Sequence, residues 1–277
     1  MSNTILELPC GVDLHGQVKR QVEIRKMKGS VQRDVARIVG QKNPEMSAAI
    51  DAVLNPSIVS LEGESLRPDA LRVMYIADRD WLLFEVLKLL RGDKVTLTDD
   101  CEKCEPVSRI EYPDFDLVGM PLTKLDNDRP WWNGQDVVAA DVVSILSPGD
   151  RKNLLGRCFV VENKDLGARA VFRYPNGADQ KMVGRLGDKP VEVMWKLLCL
   201  CLLQWKDPER ELKTVPKNFN EDFWGDVDLD VLEWSQKAFA EAMPGLDTVT
   251  ELECPRGHKK KTQVSAFPFL LQGSAQA

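Results

Sequence analysis

No Walker sequence, no Gly-x-Gly-x-x-Gly after a strand, no His-Glu-x-x-His and no Gly-x-Ser-x-Gly occurs in this chain of 277 residues. The common nucleotide-binding, metalloprotease and hydrolase readings therefore have no motif to stand on. An excess of positive charge is missing too. Lys and Arg number 37 against 43 Asp and Glu, the net charge is −6 and the pI about 5.2. Phosphate affinity needs clustered cations in excess, so this balance argues against nucleic acid or an anionic membrane as partner. The basic run Lys259 to Lys261 is expected to be a solvated strand end. Long apolar runs are absent as well: Val191 to Leu203 is the most apolar stretch, and Glu192 and Lys196 interrupt it. It is too short to span a bilayer and is expected to be a buried helix. Met1 to Leu8 has neither a basic nor an apolar leader region, so the protein is expected to start in a cytosol.

What is present is a soluble globular balance, 43% apolar and 29% charged residues, long enough for one large domain or two ordinary ones. Ile5 to Leu8 runs into Pro9-Cys10-Gly11, and Val18, Val22 and Ile24 follow in an extended stretch, which predicts a hairpin closed by those turn residues. Ala170 to Tyr174 runs into Pro175-Asn176-Gly177 with Met182 and Val183 beyond, a second hairpin prediction in which Asn-Gly is the stronger signal. Helical spacing follows the first over Ser30 to Val39, Pro44 to Leu54 and Asp80 to Arg91, the last stopping at Gly92. After the second, Asp188 is a candidate cap with Pro190 in the first turn of an apolar helix through Leu203, and Leu229 to Ala242 stops at Pro244-Gly245.

Two cysteine turns sit at matching places. Gly92 lies nine positions before Cys101 and Gly245 nine before Cys254. The first turn reads Cys101-Glu-Lys-Cys104 and the second Cys254-Pro-Arg-Gly-His258. Seven cysteines are an odd number for a reducing compartment, which disfavours a disulfide framework. Zinc takes four tetrahedral S or N ligands, and a Cys-x2-Cys turn aims two sulfurs inward. Cys101, Cys104, Cys254 and His258 are therefore the candidate ligands, and four filled positions would make the site structural. The bland alternative is free thiols on a turn. Cys10, Cys158, Cys199 and Cys201 read as small apolar residues; Cys199 and Cys201, two apart on a helix, face different ways.

The fold class expected is α+β, with two related hairpin-helices-knuckle halves, 1–117 and 169–277, joined by a Cys3His zinc cross-brace. The segment 118–168 between them is expected to be an excursion with short elements of its own. Trp131 and Trp132 stand side by side there; one could be an exposed partner anchor, or both tuck against the body. Asp226, Asp228 and Asp230 alternate with Val227, Leu229 and Val231 rather than the polar residues and glycine of a calcium loop, and suit the first turn of a helix. His15 is expected to face solvent in a hairpin turn.

This order of parts, with Leu8-Pro9-Cys10-Gly11, Asp78-Arg79-Asp80-Trp81-Leu82-Leu83, Gly92-Asp93, Cys101-x2-Cys104 and a late Pro244-Gly245-Leu246-Asp247-Thr248 leading to Glu251-Leu252-Glu253-Cys254-Pro255, resembles the zinc-knuckle baseplate and tail-assembly proteins of contractile-tailed bacteriophages. The resemblance covers roughly Leu6 to Leu117 and Ala170 to Leu271. It implies a non-enzymatic virion protein in the tail baseplate, hub or wedge, assembled in the host cytoplasm, with other baseplate or tail proteins as partners and no small-molecule substrate. Where the family's second knuckle looks like Cys-Pro-x-Cys-Gly-His, this chain has Gly257 at the fourth cysteine's place, which leaves His258 as a substitute ligand. Two alternatives share these features: an assembly chaperone absent from the mature particle, and a regulatory or catalytic zinc protein in which an open metal position activates water.

Overall fold

The structure, a computed structural model, describes all residues except 1–2, 15–16, 43, 67–69, 105–106, 126–130, 133–136, 139–156, 185–189, 214, 216–221, 267–268 and 271–277. The expectations for His15, for Asp188 as a cap and for the side chains of Trp131 and Trp132 lie outside what is described. No helix among the described residues is long and apolar enough to cross a membrane.

β1 (Thr4–Leu14) and β2 (Gln17–Ile24) pair antiparallel, from Thr4 opposite Ile24 to Leu14 opposite Gln17. Pro9-Cys10-Gly11 does not close this hairpin. It lies inside β1, where the register shifts between Glu7 and Val12, and Gly11 sits at φ +80°. A Cβ there would come within 2.8 Å of Val18 and 2.9 Å of Arg20 on the partner strand, so the triplet is a bulge that needs glycine for both conformation and space. After β2 come α1 (Gly29–Val39) and α2 (Met46–Ser57), then β3 (Ile58–Leu61) and β4 (Glu64–Ser65), giving a four-stranded sheet in the order β1-β2-β3-β4. α3 (Ala70–Val73) and α4 (Ile76–Arg91) follow; α4 stops at Gly92, φ +90°, as the sequence predicts. The chain then rises through β5 (Lys94–Cys101) and returns through β6 (Ser108–Asp116).

The stretch 118–168 contributes β7 (Leu122–Thr123), the short pair β8 (Trp131–Trp132) and β9 (Val137–Val138), and β10 (Cys158–Asn163). β10 pairs with β11 (Ala168–Arg173), and after α5 (Gly177–Val183) and α6 (Pro190–Cys201), β12 (Leu202–Lys206) and β13 (Glu211–Leu212) complete a second sheet in the order β10-β11-β12-β13. α7 (Asp222–Gly225), α8 (Leu229–Ala242), β14 (Gly245–Leu246), β15 (Val249–Glu253) and β16 (Lys259–Gln263) follow. Among the described residues both sheets are assembled from two strands, two helices, two strands and two helices, followed by a hairpin that carries cysteine; in the second series β14 stands before that hairpin.

Two further sequence expectations are corrected. Asn176-Gly177 is a helix start, not a hairpin turn. The Asn176 side chain accepts from the backbone N–H of Ala178 (2.9 Å) and Asp179 (3.3 Å), while the Asp179 carboxylate accepts from Asn176 N–H at 2.8 Å. This reciprocal cap satisfies donors that a helix start leaves open, and it outweighs the turn preference of the dipeptide. The apolar run does not stay helical through Leu203 either. It turns at Cys201, and Leu202 and Leu203 enter β12, because a continuous apolar run carries no periodicity to separate helix from strand and pairing with β11 decides.

Each sheet has its own apolar core, and each core borrows from the other part of the chain. Leu252, Val264, Ala266, Phe269 and Leu270 are buried among the residues of α1, α2 and α4, and Cys10, Tyr75 and Leu125 are buried with Phe159, Phe172 and Trp205 of the second sheet. Gln32 Nε2 donates to Leu270 O (2.8 Å) and Arg91 Nε to Phe269 O (3.3 Å), so the C-terminal segment is fastened to the first half by backbone acceptors as well.

The seam between the cores is polar. Arg79, 1% exposed, donates to Gln180 Oε1 (2.8 Å), Leu71 O (2.7 Å) and Asp51 Oδ1 (2.8 Å). Ile76 N–H donates to Pro175 O (3.0 Å), and Gly177 N–H to Met74 O (2.9 Å). On the bulge side, Arg157 Nη1 donates to Cys10 O (2.9 Å) and Cys10 N–H donates to Asp78 Oδ1 (2.7 Å). Burial lifts the Asp78 carboxyl to about 6, against the pull of the Cys10 hydrogen bonds and the Arg20 charge.

Two outcomes follow from the seam. A Cβ at Gly177 would lie 2.1 Å from Leu71 O and 2.8 Å from Arg79 Nη1, so Gly177→Ala is expected to destabilise by about 2–3 kcal/mol in urea unfolding, while Gly29→Ala, which meets nothing within 4 Å, stays near wild type. Because the Asp78 pKa is raised on folding, its contribution is fully present below the unfolded carboxylate pKa and is lost as pH rises through about 6. Asp78→Asn keeps an acceptor for Cys10 N–H without the charge. Its stability relative to wild type should rise by about 2–3 kcal/mol between pH 4 and 7, measured as the difference in urea midpoints.

Candidate metal centre

The β5–β6 hairpin ends in Cys101 and Cys104, and the β15–β16 hairpin in Cys254 and His258. Each turn is held by its own backbone: Cys104 N–H donates to Cys101 O (3.2 Å), Gly257 N–H to Cys254 O (2.8 Å) and Cys254 N–H to His258 O (2.9 Å). Gly257, at φ +81°, takes the left-handed conformation that brings His258 back over the turn.

The structure brings all four expected ligands together. Their ligand atoms lie within 4.8 Å of one another, with the three cysteines buried and His258 half-buried. Cys104 Sγ is 3.8 Å from Cys254 Sγ and 3.5 Å from His258 Nδ1, and Cys101 Sγ is 3.7 Å from His258 Nδ1. A tetrahedral zinc with Zn–S near 2.3 Å and Zn–N near 2.0–2.1 Å requires edges of about 3.8 Å for S···S and about 3.6 Å for S···N. These three edges match and the remaining pairs lie within 4.8 Å, so the four residues could hold a four-coordinate ion.

The local electrostatics favour thiolate at the second knuckle. Burial pushes the Cys101 thiol up, and the neighbouring Cys104 sulfur adds to this. At Cys254 burial acts in the same direction but is outweighed by the backbone N–H groups of His258 and Arg256 and by the Cys101 and Cys104 thiols, and the group is held below its ordinary value. His258 N–H approaches Cys254 Sγ at 3.4 Å. Amides aimed at sulfur stabilise the anion that a metal ligand must become.

Around the cysteines the hairpins meet directly. Lys260 Nζ donates to Asp99 Oδ1 (2.9 Å) and to Asp100 O (3.2 Å), and Thr262 donates its hydroxyl to the other Asp99 oxygen. Those two bonds, Thr262 first, hold the Asp99 carboxyl below its usual range. The Tyr112 hydroxyl bonds Glu253 backbone N–H and C=O, and with Ile110 it packs on the cysteine cluster. The basic run read as a solvated strand end is thus partly employed: Lys259 pairs with Glu251 at 2.8 Å and Lys260 joins the two hairpins. Sequence reasoning did not single out Tyr112 or Thr262. The signal for Tyr112 was the period of two that puts it on the face of Ile110.

No family model matches the chain, and neither curated proteins nor solved structures provide a match.

Purified protein is expected to carry one metal ion per chain by elemental mass spectrometry, with Cys104→Ala losing it and His258→Ala weakening it. Closing a loop of the 150 residues between Cys104 and Cys254 is worth roughly 5 kcal/mol. Chelation should therefore lower the thermal midpoint by about 10 °C or more.

Proposed function

We propose that the chain is a non-catalytic structural adaptor of a contractile-tail baseplate, of the kind its sequence resembles, and that a structural zinc fixes its two halves in one relative orientation. The observation that carries this reading is the origin of the candidate ligands: two thiols from a hairpin in the first half and a thiol and an imidazole from a hairpin near the C-terminus come within 4.8 Å of one another. Zinc is the ion we assign, since three thiolates and an imidazole in tetrahedral array suit it and it undergoes no redox chemistry. A filled coordination sphere leaves no position for a water nucleophile, so the role of the ion is architectural. We take the repeated order of elements around the two sheets as the mark of a duplication, each half offering a surface to a different neighbour. Function then consists of holding two docking faces at a fixed angle, which requires a stiff seam and no active site.

The zinc assignment predicts a cobalt-substituted protein with the intense d–d absorption of a tetrahedral thiolate site; an octahedral spectrum would sink it. The baseplate assignment is tested by particle composition. The chain is expected in purified tails washed free of loosely bound protein, alongside baseplate components. Presence in lysate with absence from washed tails would replace the adaptor with a transient assembly chaperone.

A further inference from the structure

The acidic balance of the whole chain conceals a strongly basic segment. Residues 25–42 hold Arg25, Lys26, Lys28, Arg33, Arg37 and Lys42 against a single carboxylate, Asp34, a net charge of +5 in a chain whose total is −6. All six cations are exposed. Arg25, Lys26 and Lys28 lie on the approach to α1, Arg33 and Arg37 on its outer face opposite the buried Val31 and Val35, and Lys42 at its exit, a stretch we call the ridge. Arg33 and Arg37 are one turn apart on that face, and the Arg37 side chain is 77% exposed although Asp34 approaches it at 3.3 Å. Neighbouring carboxylates are engaged elsewhere. Glu45 accepts from Ser47, Asp51 pairs with Arg79, and Glu23 accepts from Asn3 and Ser60.

This placement works against the helix that carries it. Lys26 and Lys28 stand at the N-terminal end of α1, where the helix dipole disfavours cations, the first turn has no acidic residue and Lys28 supplies no side-chain cap. A local rule broken without a compensating contact inside the molecule points to a use outside it.

The charge that would match the ridge is on the chain itself. The β5–β6 hairpin, residues 93–116, carries eight carboxylates against three cations, net −5. Asp99 is occupied by Lys260 and Thr262, but Asp93, Asp100, Glu102, Glu111, Asp114 and Asp116 are exposed, and four of the six, Asp100, Glu111, Asp114 and Asp116, lie in the hairpin strands. Lengths agree as well: the ridge spans roughly 25 Å, an eleven-residue helix plus its extended approach, and an eight-residue strand about the same. We propose that the cationic ridge 25–42 docks on the acidic β5–β6 hairpin of a second copy of this chain. The two surfaces differ, so the contact is head-to-tail and propagates into a ring or a short filament. A nucleic-acid occupant fits less well: the ridge has no aromatic residue for stacking, and the rest of the chain, at −11, repels a phosphate backbone.

The test is sedimentation velocity of the full-length, metal-loaded protein over a range of concentrations, in about 0.05 M and about 0.5 M salt, where screening of exposed pairs differs strongly. Concentration-dependent assembly is expected at low salt, with the apparent association constant falling about ten-fold or more at high salt. Arg33→Glu/Arg37→Glu and Asp93→Lys/Glu111→Lys should each sediment as monomers with unchanged thermal midpoints, and mixing the two variants should restore a complex, since each retains the surface that the other has lost or reversed. A wild-type protein that stays monomeric at low salt overturns the proposal, as does failure of the mixture to associate. Salt-sensitive binding of a labelled single-stranded oligonucleotide, lost in Arg33→Glu/Arg37→Glu while self-association is absent, would overturn it in favour of nucleic acid.

Discussion

The meeting of two hairpins 150 residues apart in sequence is the constraint on which the rest of this structure depends. Bringing such distant segments together costs chain entropy that a few surface contacts cannot offset. The chain meets that cost three times over within a small volume: with four candidate ligand atoms within 4.8 Å of one another, with the Asp99, Lys260 and Thr262 contact, and with the Tyr112 hydroxyl on the backbone of Glu253. Leu252 and Val264, on the inner side of the second hairpin, then continue into the first core. The knuckle therefore decides where the C-terminal segment lies, and with it whether the first core is complete.

The two cores are consequently not independent modules. The first lacks part of its apolar lining without Phe269 and Leu270, and the second without Tyr75 and Leu125. Such an exchange makes unfolding of one half costly for the other, because each would expose apolar surface that its own sequence cannot cover. The seam adds direction to this coupling. Buried Arg79 is satisfied only when Leu71, Asp51 and Gln180 are all in place, and an unpaired buried guanidinium is expensive enough to penalise a shifted packing.

What was legible in the sequence is explained by what local chemistry can specify. The helices read over 30–39, 80–91 and 229–242 were legible because their apolar spacing and their stops are written within a few residues of each other, although the second begins a turn earlier, at Ile76. The ligand set was readable because two short spacings and a scarce histidine coincide. The misread sites share another cause. Gly11 and Gly177 looked like turn residues, and both are glycines for the sake of something distant in sequence: the partner strand at Val18 and Arg20, and the carbonyl of Leu71. A glycine kept for close approach is indistinguishable in sequence from one kept for a turn until its neighbour is known. The basic segment at 25–42 is partly written in the sequence, in Arg25, Lys26 and Lys28, while Arg33 and Arg37 are set one turn apart by the helix.

Asp78 shows how far the architecture places position above stability. A carboxylate with its pKa lifted to about 6 by burial favours the neutral form, and its ionised form costs the fold free energy near neutral pH. Its second oxygen, Oδ2, finds no hydrogen-bond partner among the described residues. The first oxygen, however, accepts the amide of Cys10 at the point where β1 bulges, and Cys10 O in turn receives Arg157, which immediately precedes β10 of the second sheet. The bulge fixes where the first sheet touches the second, and an apolar residue at position 78 would leave the Cys10 amide buried without an acceptor. A polar seam that is modestly costly but admits one register, beside a knuckle that admits one crossing of the hairpins, gives two halves a single relative orientation. Apolar burial alone, being non-directional, would hold them together without setting the angle.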